Sequence, residues 1–318
     1  WLTIITALDL LLIAMIANFG KRDEATAARF GAAWFWLFFL VALGPVSISR
    51  VDAFSVVVAM FGVLALANRK LNASTAWFTV GLSMKIWPAA ILVVAMAASK
   101  FRARILLAAV STGAIILSIG LLLGGNLSLF SFLTNQADRG IQIESVIASP
   151  FIWSWIFGLS NNEIYYDNRM MTFQVAGDEV GVVAGLMSIA MAVAIAITAF
   201  LAWRAARAGA GFRAILPIGL LTATLDLIVF NKVGSPQFVT WLAVPIILGI
   251  FYRAANWRLP MFAVAAIALL TNLVYPVFYD EILKGNPFAF AVLTVRNLVY
   301  VGLLVWANVQ LSSLAKRQ

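Results

Sequence analysis

The residues best suited to chemistry lie in one polar stretch, 135–145, which reads NQADRGIQIES. Its Arg139 has a planar guanidinium that can hold an anion. Its Asp138 and Glu144 can bind a hydroxyl or accept its proton. The alternative is an internal Asp–Arg–Glu ion-pair cluster that pins the segment in place. Both interpretations remain open from these residues alone.

Two lysines interrupt apolar sequence. Lys232 lies in the short turn 231–237, where its ammonium can meet a phosphate with help from the Ser235 hydroxyl and the turn's N–H groups. The alternative is a lysine that extends to lipid phosphates. Lys85, flanked by apolar residues in a broken helix, is costly unless it is paired or lines a wet cavity. For Lys85 we favour a ligand role over a shallow, extended side chain.

Four further ionisable residues lie in or beside apolar runs: Asp9, Asp52, Asp226 and Arg296. Asp226 precedes Lys232 by six residues, which predicts a structural Asp–Lys pair. Arg50 and Asp52 can form a local salt bridge that starts a helix, since an acid near a helix N-terminus is favourable. Arg296 begins an apolar run, and both lipid contact and anion binding suit it.

The composition excludes a soluble protein. The chain has 318 residues, 63% hydrophobic and 11% charged, with a mean hydropathy of +0.99. A soluble domain has about 25% charged and about 45–50% apolar residues. Cysteine and histidine are both absent, which excludes disulfides, thiolate metal sites and histidine triads. The net charge of +9 is read as a membrane-topology signal rather than as a nucleic-acid surface. We expect neither a metal nor a cofactor.

The apolar runs predict an all-α polytopic membrane protein with a single domain over residues 1–318. Spans are expected near 1–18, 30–46, 52–68, 103–124, 179–203, 214–230, 236–252, 259–278 and 289–313. The stretch 74–99 is interrupted at 84–88 by MKIWP, so it is either one kinked span or a re-entrant hairpin.

Charge favours the hairpin. With it, 15 of the 22 basic residues fall on one side, in the turns near residues 21–29, 69–70, 100–104, 204–213, 253–258 and 316–317. The positive-inside rule makes that side, with the C-terminus, cytoplasmic. The long loop 125–178 and nine of the 13 acids then lie outside. The polar candidates converge on this outer face, which suits a site for the phosphate of a lipid-linked substrate.

Several of these stretches resemble motifs of glycosyltransferase family 87, in the same order and spacing. They are RGIQIES at 139–145, KVGSPQF at 232–238 followed by Trp241, KIWP at 85–88, and Tyr275-Pro276 with Arg296-Asn297. The family has the GT-C fold, a multi-span helical bundle with re-entrant or broken helices and a long extracytoplasmic loop. Its members are polyprenyl-phosphate-mannose-dependent α-mannosyltransferases of actinobacterial envelope glycolipids and lipoglycans.

The resemblance implies an inverting transferase in the cytoplasmic membrane with its active site on the extracytoplasmic side. Its partners would be a polyprenyl-phosphate-sugar donor, a glycolipid or lipoglycan acceptor and membrane lipids, and no nucleic acid. By position, donor-phosphate contacts would come from Lys232, Arg139, Lys85 and Arg296. Sugar or acceptor contacts would come from Gln142, Glu144, Ser145, Ser235 and Gln237.

Two departures from the family pattern matter. In GT-C enzymes the catalytic carboxylate usually follows the first span, whereas this chain opens on a run that matches the second. We therefore expect the base upstream of Trp1, with Glu144 and Asp52 as weaker candidates within the chain. Gly234 and Phe238 stand where a bulkier residue and a Tyr are more usual. The competing function is a lipid or solute transporter or flippase that uses the broken helix at 84–88.

Overall fold

A computed structural model describes residues 1–19, 26–126 and 139–316 of the chain. The candidate Asp138 lies outside these residues. So do the basic residues Lys21, Arg22 and Arg317, on which part of the predicted topology depends.

The described chain is mainly helical. In its first part the helices are α1 (Leu2–Ala17), α2 (Thr26–Leu43), α3 (Val46–Ser49), α4 (Val51–Ala67), α5 (Leu71–Met84), α6 (Pro88–Ala98) and α7 (Arg102–Leu122). A small unit follows, with β1 (Ile141–Gln142), α8 (Ala148–Ile156), β2 (Glu163–Asp167) and β3 (Thr172–Ala176). The last part comprises α9 (Val180–Arg207), α10 (Phe212–Val229), a 3-10 helix (Pro236–Leu242), α11 (Ala243–Phe251), α12 (Arg258–Asn272), a π-helical turn (Leu273–Val277), α13 (Tyr279–Leu283) and α14 (Pro287–Leu314).

The helices match the predicted spans. Among the described residues, α7, α9, α10, α12 with its π-turn, and α14 are long and apolar enough to cross a membrane. Helices α1, α2, α4 and the stretch Pro236–Phe251 are apolar but shorter. Helix α10 is buried along most of its length, whereas α7 fully buries only Ile105 and exposes apolar side chains from Leu106 to Leu122. These features are those of a multi-pass membrane protein, with α10 near its centre.

Helices α5 and α6 form a hairpin around a break at residues 85–87. Lys85 adopts an extended backbone, and Pro88 opens α6 at a position where its missing N–H costs no hydrogen bond. Nε of Arg104, in the first turn of α7, donates to Oδ1 of Asn72, in the first turn of α5, at 2.6 Å. The chain therefore returns along α6 to the end from which α5 starts, as the charge pattern predicts.

With α5 and α6 arranged as a hairpin, the basic turns lie at one end of the bundle and the longer loops at the other. The basic end carries the turns 68–70, 99–101, 208–211 and 252–257, and residues from all four turns or their flanks line one cavity there. The loop end is the opposite one, with residues 44–50, 85–87, 139–179, 230–237 and 273–286.

A three-stranded antiparallel sheet lies at the loop end, in the order β1-β3-β2. Ile141 pairs with Val175, and Gln142 pairs with Gln174. The sequence predicts a loop with apolar anchors here and no strands, because strands of two to five residues leave almost no periodicity. Buried Ile141 packs with Ile152 and Phe290 in a second apolar core. This core fixes the position of the segment 139–145.

Candidate functional site

The predicted motifs meet at the loop end. The N–H of Gln142 donates to the carbonyl of Lys232 at 2.9 Å, and the N–H of Gly234 donates to Oε1 of Gln142 at 3.2 Å. These reciprocal bonds join segment 139–145 to turn 231–237 across 92 residues of sequence. Gln142, predicted to bind a sugar or acceptor, is itself buried and uses its amide oxygen to hold the turn.

Gly234 is required by this junction. A Cβ at position 234 would lie 2.5 Å from Cα of Ser145 and closer still to the Ser145 amide nitrogen and the Glu144 carbonyl carbon. Real Cβ atoms essentially never approach backbone atoms so closely. The need for glycine at this position therefore comes from a close backbone approach, which the sequence does not reveal.

Arg296 and Asn297 hold the backbone of the other segment at residues 144–145. The Arg296 guanidinium is buried and donates to the carbonyl of Glu144 and, at 2.8 Å, to Oδ1 of Asn297. Nδ2 of Asn297 donates to the Ser145 carbonyl at 3.3 Å and to Oγ of Ser149 at 3.0 Å. Arg296 is predicted to contact the donor phosphate, but here it acts on the backbone of the 144–145 turn.

The two carboxylate oxygens of Glu144 differ in their hydrogen bonding. Oε1 accepts a hydrogen bond from the Tyr279 hydroxyl at 2.9 Å, while Oε2 is buried with no hydrogen-bond partner among the described residues. Burial raises the pKa of Glu144 to about 7, against the opposing effects of its own backbone N–H, Tyr279 and Arg296. Burial and the neighbouring Glu144 carboxylate raise the pKa of Tyr279 well above its usual value. The glutamate therefore exchanges its proton near neutral pH.

A small cavity of about 10 Å³ adjoins this carboxylate. Ser145, Ser235 and Phe238 are among its lining residues. Oγ of Ser145 is buried and has no hydrogen-bond partner within the described parts of the chain. The cavity thus collects polar atoms from both joined segments.

Asp52 forms an ion pair with Lys85, next to Trp241, rather than with Arg50. Nζ of Lys85 lies 3.2 Å from Oδ2 of Asp52, and Nε1 of Trp241 donates to Oδ1 of the same carboxylate at 2.8 Å. Asp52 is fully buried, whereas the Lys85 side chain is 33% exposed. Both oxygens of Asp52 are thus engaged by the protein, and Lys85 keeps part of its surface for a ligand.

Aromatic rings connect the small cavity beside Glu144 with the Lys85–Asp52 ion pair. Trp241 stacks on Phe238, a residue of the small cavity, with centroids 4.2 Å apart. On the other side, a guanidinium nitrogen of Arg50 lies 3.3 Å from the Tyr275 hydroxyl, and Tyr275 packs edge-on against Tyr279 at 5.0 Å. Sequence reasoning missed Tyr279, since a tyrosine outside the recognised motifs carries no distinguishing signal.

The remaining candidates lie in the same region. Arg139 is half-buried, and its Nε has no hydrogen-bond partner in the described chain. Lys232 is 8% exposed and interacts with its surroundings. Ser235 and Gln237 are half-buried.

The predicted ion pair between Asp226 and Lys232 is wrong, because Asp226 has a different partner. Oδ2 of Asp226 accepts a hydrogen bond from the Thr198 hydroxyl of α9 at 2.6 Å. The acid faces a neighbouring helix of the bundle, so sequence proximity to Lys232 does not determine its contact.

No protein-family model, curated protein or solved structure gives a significant match to this chain. Function is therefore inferred from the geometry and from the motifs. Within the described residues no cluster of three Asp or Glu side chains could hold a metal ion. The arrangement offers partly exposed cations for an anion, a carboxyl that titrates near neutral pH, and apolar helices directly beneath.

Proposed function

We propose that this chain is a GT-C-type glycosyltransferase that transfers a sugar, most simply α-mannose, from a polyprenyl-phosphate donor to a glycolipid or lipoglycan acceptor. The observation that carries the proposal is the meeting of segments 85–88, 139–145, 231–241 and 275–297 at the loop end. These are the four stretches that resemble glycosyltransferase family 87. We place the loop end on the extracytoplasmic side of the cytoplasmic membrane, since the opposite end is basic.

The donor's chemistry suits this location. Its polyprenyl chain can lie along the apolar helices while its phosphate remains at the membrane surface. Lys85, Arg139 and Lys232 supply positive charge near that level. Cations at a leaving phosphate stabilise the charge that develops as the sugar–oxygen bond breaks.

In the transfer step, an acceptor hydroxyl attacks the anomeric carbon and inverts it. The bond from that carbon to the phosphate oxygen breaks, polyprenyl phosphate leaves with the electron pair, and a base takes the hydroxyl proton. Within this chain Glu144 suits the base role better than Asp52, because Oε2 of Glu144 has no hydrogen-bond partner among the described residues and the Glu144 pKa is about 7. Asp52 instead holds Lys85 in place.

The transporter alternative fits the structure less well. Transporters place their polar sites near the bilayer midplane, between repeated halves. Here the break at 85–87 lies at the end of the bundle, against the first turn of α4 and the 3-10 helix.

The test is sugar transfer in detergent from polyprenyl-phosphate-[¹⁴C]mannose to an actinobacterial envelope lipid extract. Arg139→Ala and Lys232→Ala are each expected to abolish transfer, because each removes a cation from the phosphate. The matched control is Lys284→Ala, since Lys284 is also at the loop end but is exposed, and its ion pair within the described chain is with its neighbour Glu281 at 2.7 Å.

Thermal unfolding of each variant shows whether it remains folded. Full sugar transfer by both folded variants would show that Arg139 and Lys232 do not bind the donor phosphate. Substrate counterflow in liposomes without sugar transfer would favour the transporter instead.

A further inference from the structure

A second cavity, of about 1030 Å³, lies at the basic end of the bundle. It is far larger than the one beside Glu144, and the proposed function does not use it. It lies where α4, α6 and α9 end and where α7 and α10 begin. Its cationic lining residues are Arg69, Lys100, Arg102, Arg207 and Arg213.

The charges of this cavity are uncompensated by the described chain. No carboxylate is among its described lining residues. Arg213 stacks on the Tyr252 ring at 5.4 Å, and Nε of Arg102 donates to the Ser99 carbonyl at 3.2 Å. Neither contact neutralises a positive charge. The cluster therefore raises the local positive potential and favours an anion.

The other three cations are available to a ligand. The side chains of Arg69, Lys100 and Arg207 are exposed and form no hydrogen bond or ion pair with any described residue. The Arg207 guanidinium lies over the Trp203 ring, 5.7 Å from its centroid. Each of these side chains can turn toward the cavity without breaking a polar contact of the described chain.

The surroundings point to a lipid rather than a soluble anion. Phe101, 63% exposed, lines the cavity beside the cations. The adjoining helix α7 exposes Leu106, Leu107 and Val110 near this end, and α9 exposes Ile197 and Phe200 toward the same end. A ligand in the cavity therefore has a polar site and an apolar helix surface next to each other.

We propose that the basic-end cavity binds the phosphate-bearing headgroup of an anionic membrane lipid, with the acyl chains lying along α7 and α9. Basic pockets between membrane helices are a recurrent way to recognise such headgroups. This site is separate from the proposed transfer site, at the other end of the bundle.

The experiment measures binding of phosphatidic acid, labelled on an acyl chain, to the purified chain in neutral detergent micelles by fluorescence anisotropy. Saturable binding is expected. The triple variant Arg69→Gln, Lys100→Gln, Arg207→Gln is expected to bind at least about tenfold more weakly, because each cation near an anionic headgroup contributes to affinity. The equally labelled zwitterionic phosphatidylcholine is expected to bind the parent more weakly than phosphatidic acid.

The matched control is the triple variant Lys70→Gln, Arg204→Gln, Arg258→Gln. These residues are exposed at the same end and close to helix termini, but they do not line the cavity. The control removes the same net charge and is expected to keep the parent's affinity within about twofold. The reason is that salt screens exposed cations outside the cavity from a headgroup bound inside it. Equal weakening in both triple variants would overturn the proposal.

Two further measurements separate a lipid site from a soluble-phosphate site and from a folding defect. Inorganic phosphate at millimolar concentration should leave bound phosphatidic acid in place; displacement by it would assign the cavity to a soluble phosphate and overturn the lipid. The single variants Arg69→Gln and Lys100→Gln change exposed side chains only. If the cavity triple variant does not fold, unchanged affinity in both single variants refutes the site.

Discussion

Nζ of Lys85 lies 3.2 Å from Oδ2 of Asp52, so the break between α5 and α6 is tied to the first turn of α4. The carboxylate is fully buried and also accepts a hydrogen bond from Trp241. A neighbouring bond from Nε1 of Trp87 to Oγ of Ser55, at 3.1 Å, fixes the break a second time. The ion pair therefore serves two purposes: it holds the hairpin apex, and it places a partly exposed cation at the loop end.

Lys85→Met is expected to destabilise the protein because it leaves Asp52 buried without its counter-ion. Breaking a fully buried pair costs roughly 3–5 kcal/mol. We expect less here, since Lys85 is 33% exposed. Adding Asp52→Asn to Lys85→Met should recover part of the loss, because the buried group is then neutral. Thermal unfolding in detergent measures both, and a double variant less stable than Lys85→Met alone would show that the unpaired Asp52 charge is not the cause.

Gly234→Ala is expected to lower stability and transfer together, because its methyl group meets the backbone of Glu144 and Ser145. Overpacking costs about 1–3 kcal/mol when neighbours can shift, and backbone shifts less readily than a side chain. The matched control is Gly181→Ala in α9, where nothing lies within 4 Å of the new Cβ. That control should be neutral or stabilising, since alanine favours a helix by up to about 1 kcal/mol. Equal unfolding temperatures for the two variants would show that the junction tolerates a side chain.

The sequence predicts the helices well and the contacts at the loop end only in part. Membrane spans can be predicted because a run of about 20 apolar residues is long enough to cross a bilayer and is rare in soluble chains. The one-sided basic turns identify the α5–α6 hairpin, and the motifs indicate that Lys85, Glu144 and Lys232 belong to one region. Their individual contacts are not predictable, since Asp52 pairs with Lys85 over 33 residues and Tyr279 reaches Glu144 over 135. The short strands and the Gly234 junction depend on tertiary packing that leaves no periodic signal.

Glu144 is expected to make stability depend on pH between its ordinary pKa of 4.5 and its native value of about 7. In this window the folded protein binds the Glu144 proton more tightly than the unfolded chain does. Stability from this group therefore falls as pH rises from about 4.5 to 7 and is level above that range. Glu144→Gln removes this dependence, and unfolding temperatures across pH 4–8 compare the two proteins. An unchanged slope in Glu144→Gln would assign the dependence to another group.

Tyr279→Phe provides the complementary change in the same titration. The Tyr279 hydroxyl stabilises the Glu144 carboxylate, so its loss should raise the Glu144 pKa above about 7. If Glu144 is the base, the rising limb of transfer against pH should move to higher pH, with the rate at alkaline pH largely retained. The control is Tyr166→Phe, on the neighbouring sheet, since Tyr166 is exposed and packs against Phe173. A limb that stays in place in Tyr279→Phe would show that Glu144 is not the group that titrates.

Arg296→Lys is expected to damage the site although it preserves charge. The planar guanidinium donates to both the Glu144 carbonyl and Oδ1 of Asn297, and a lysine ammonium cannot reproduce that fork. Each buried acceptor left unpaired costs about 1–3 kcal/mol, so both stability and transfer should fall. Arg207→Lys, at an exposed position of the basic end, is the control and should leave both unchanged. If Arg296→Lys retains parental stability but loses transfer, Arg296 contacts the donor directly; if stability and transfer fall together, it acts through the 144–145 turn, as the structure indicates.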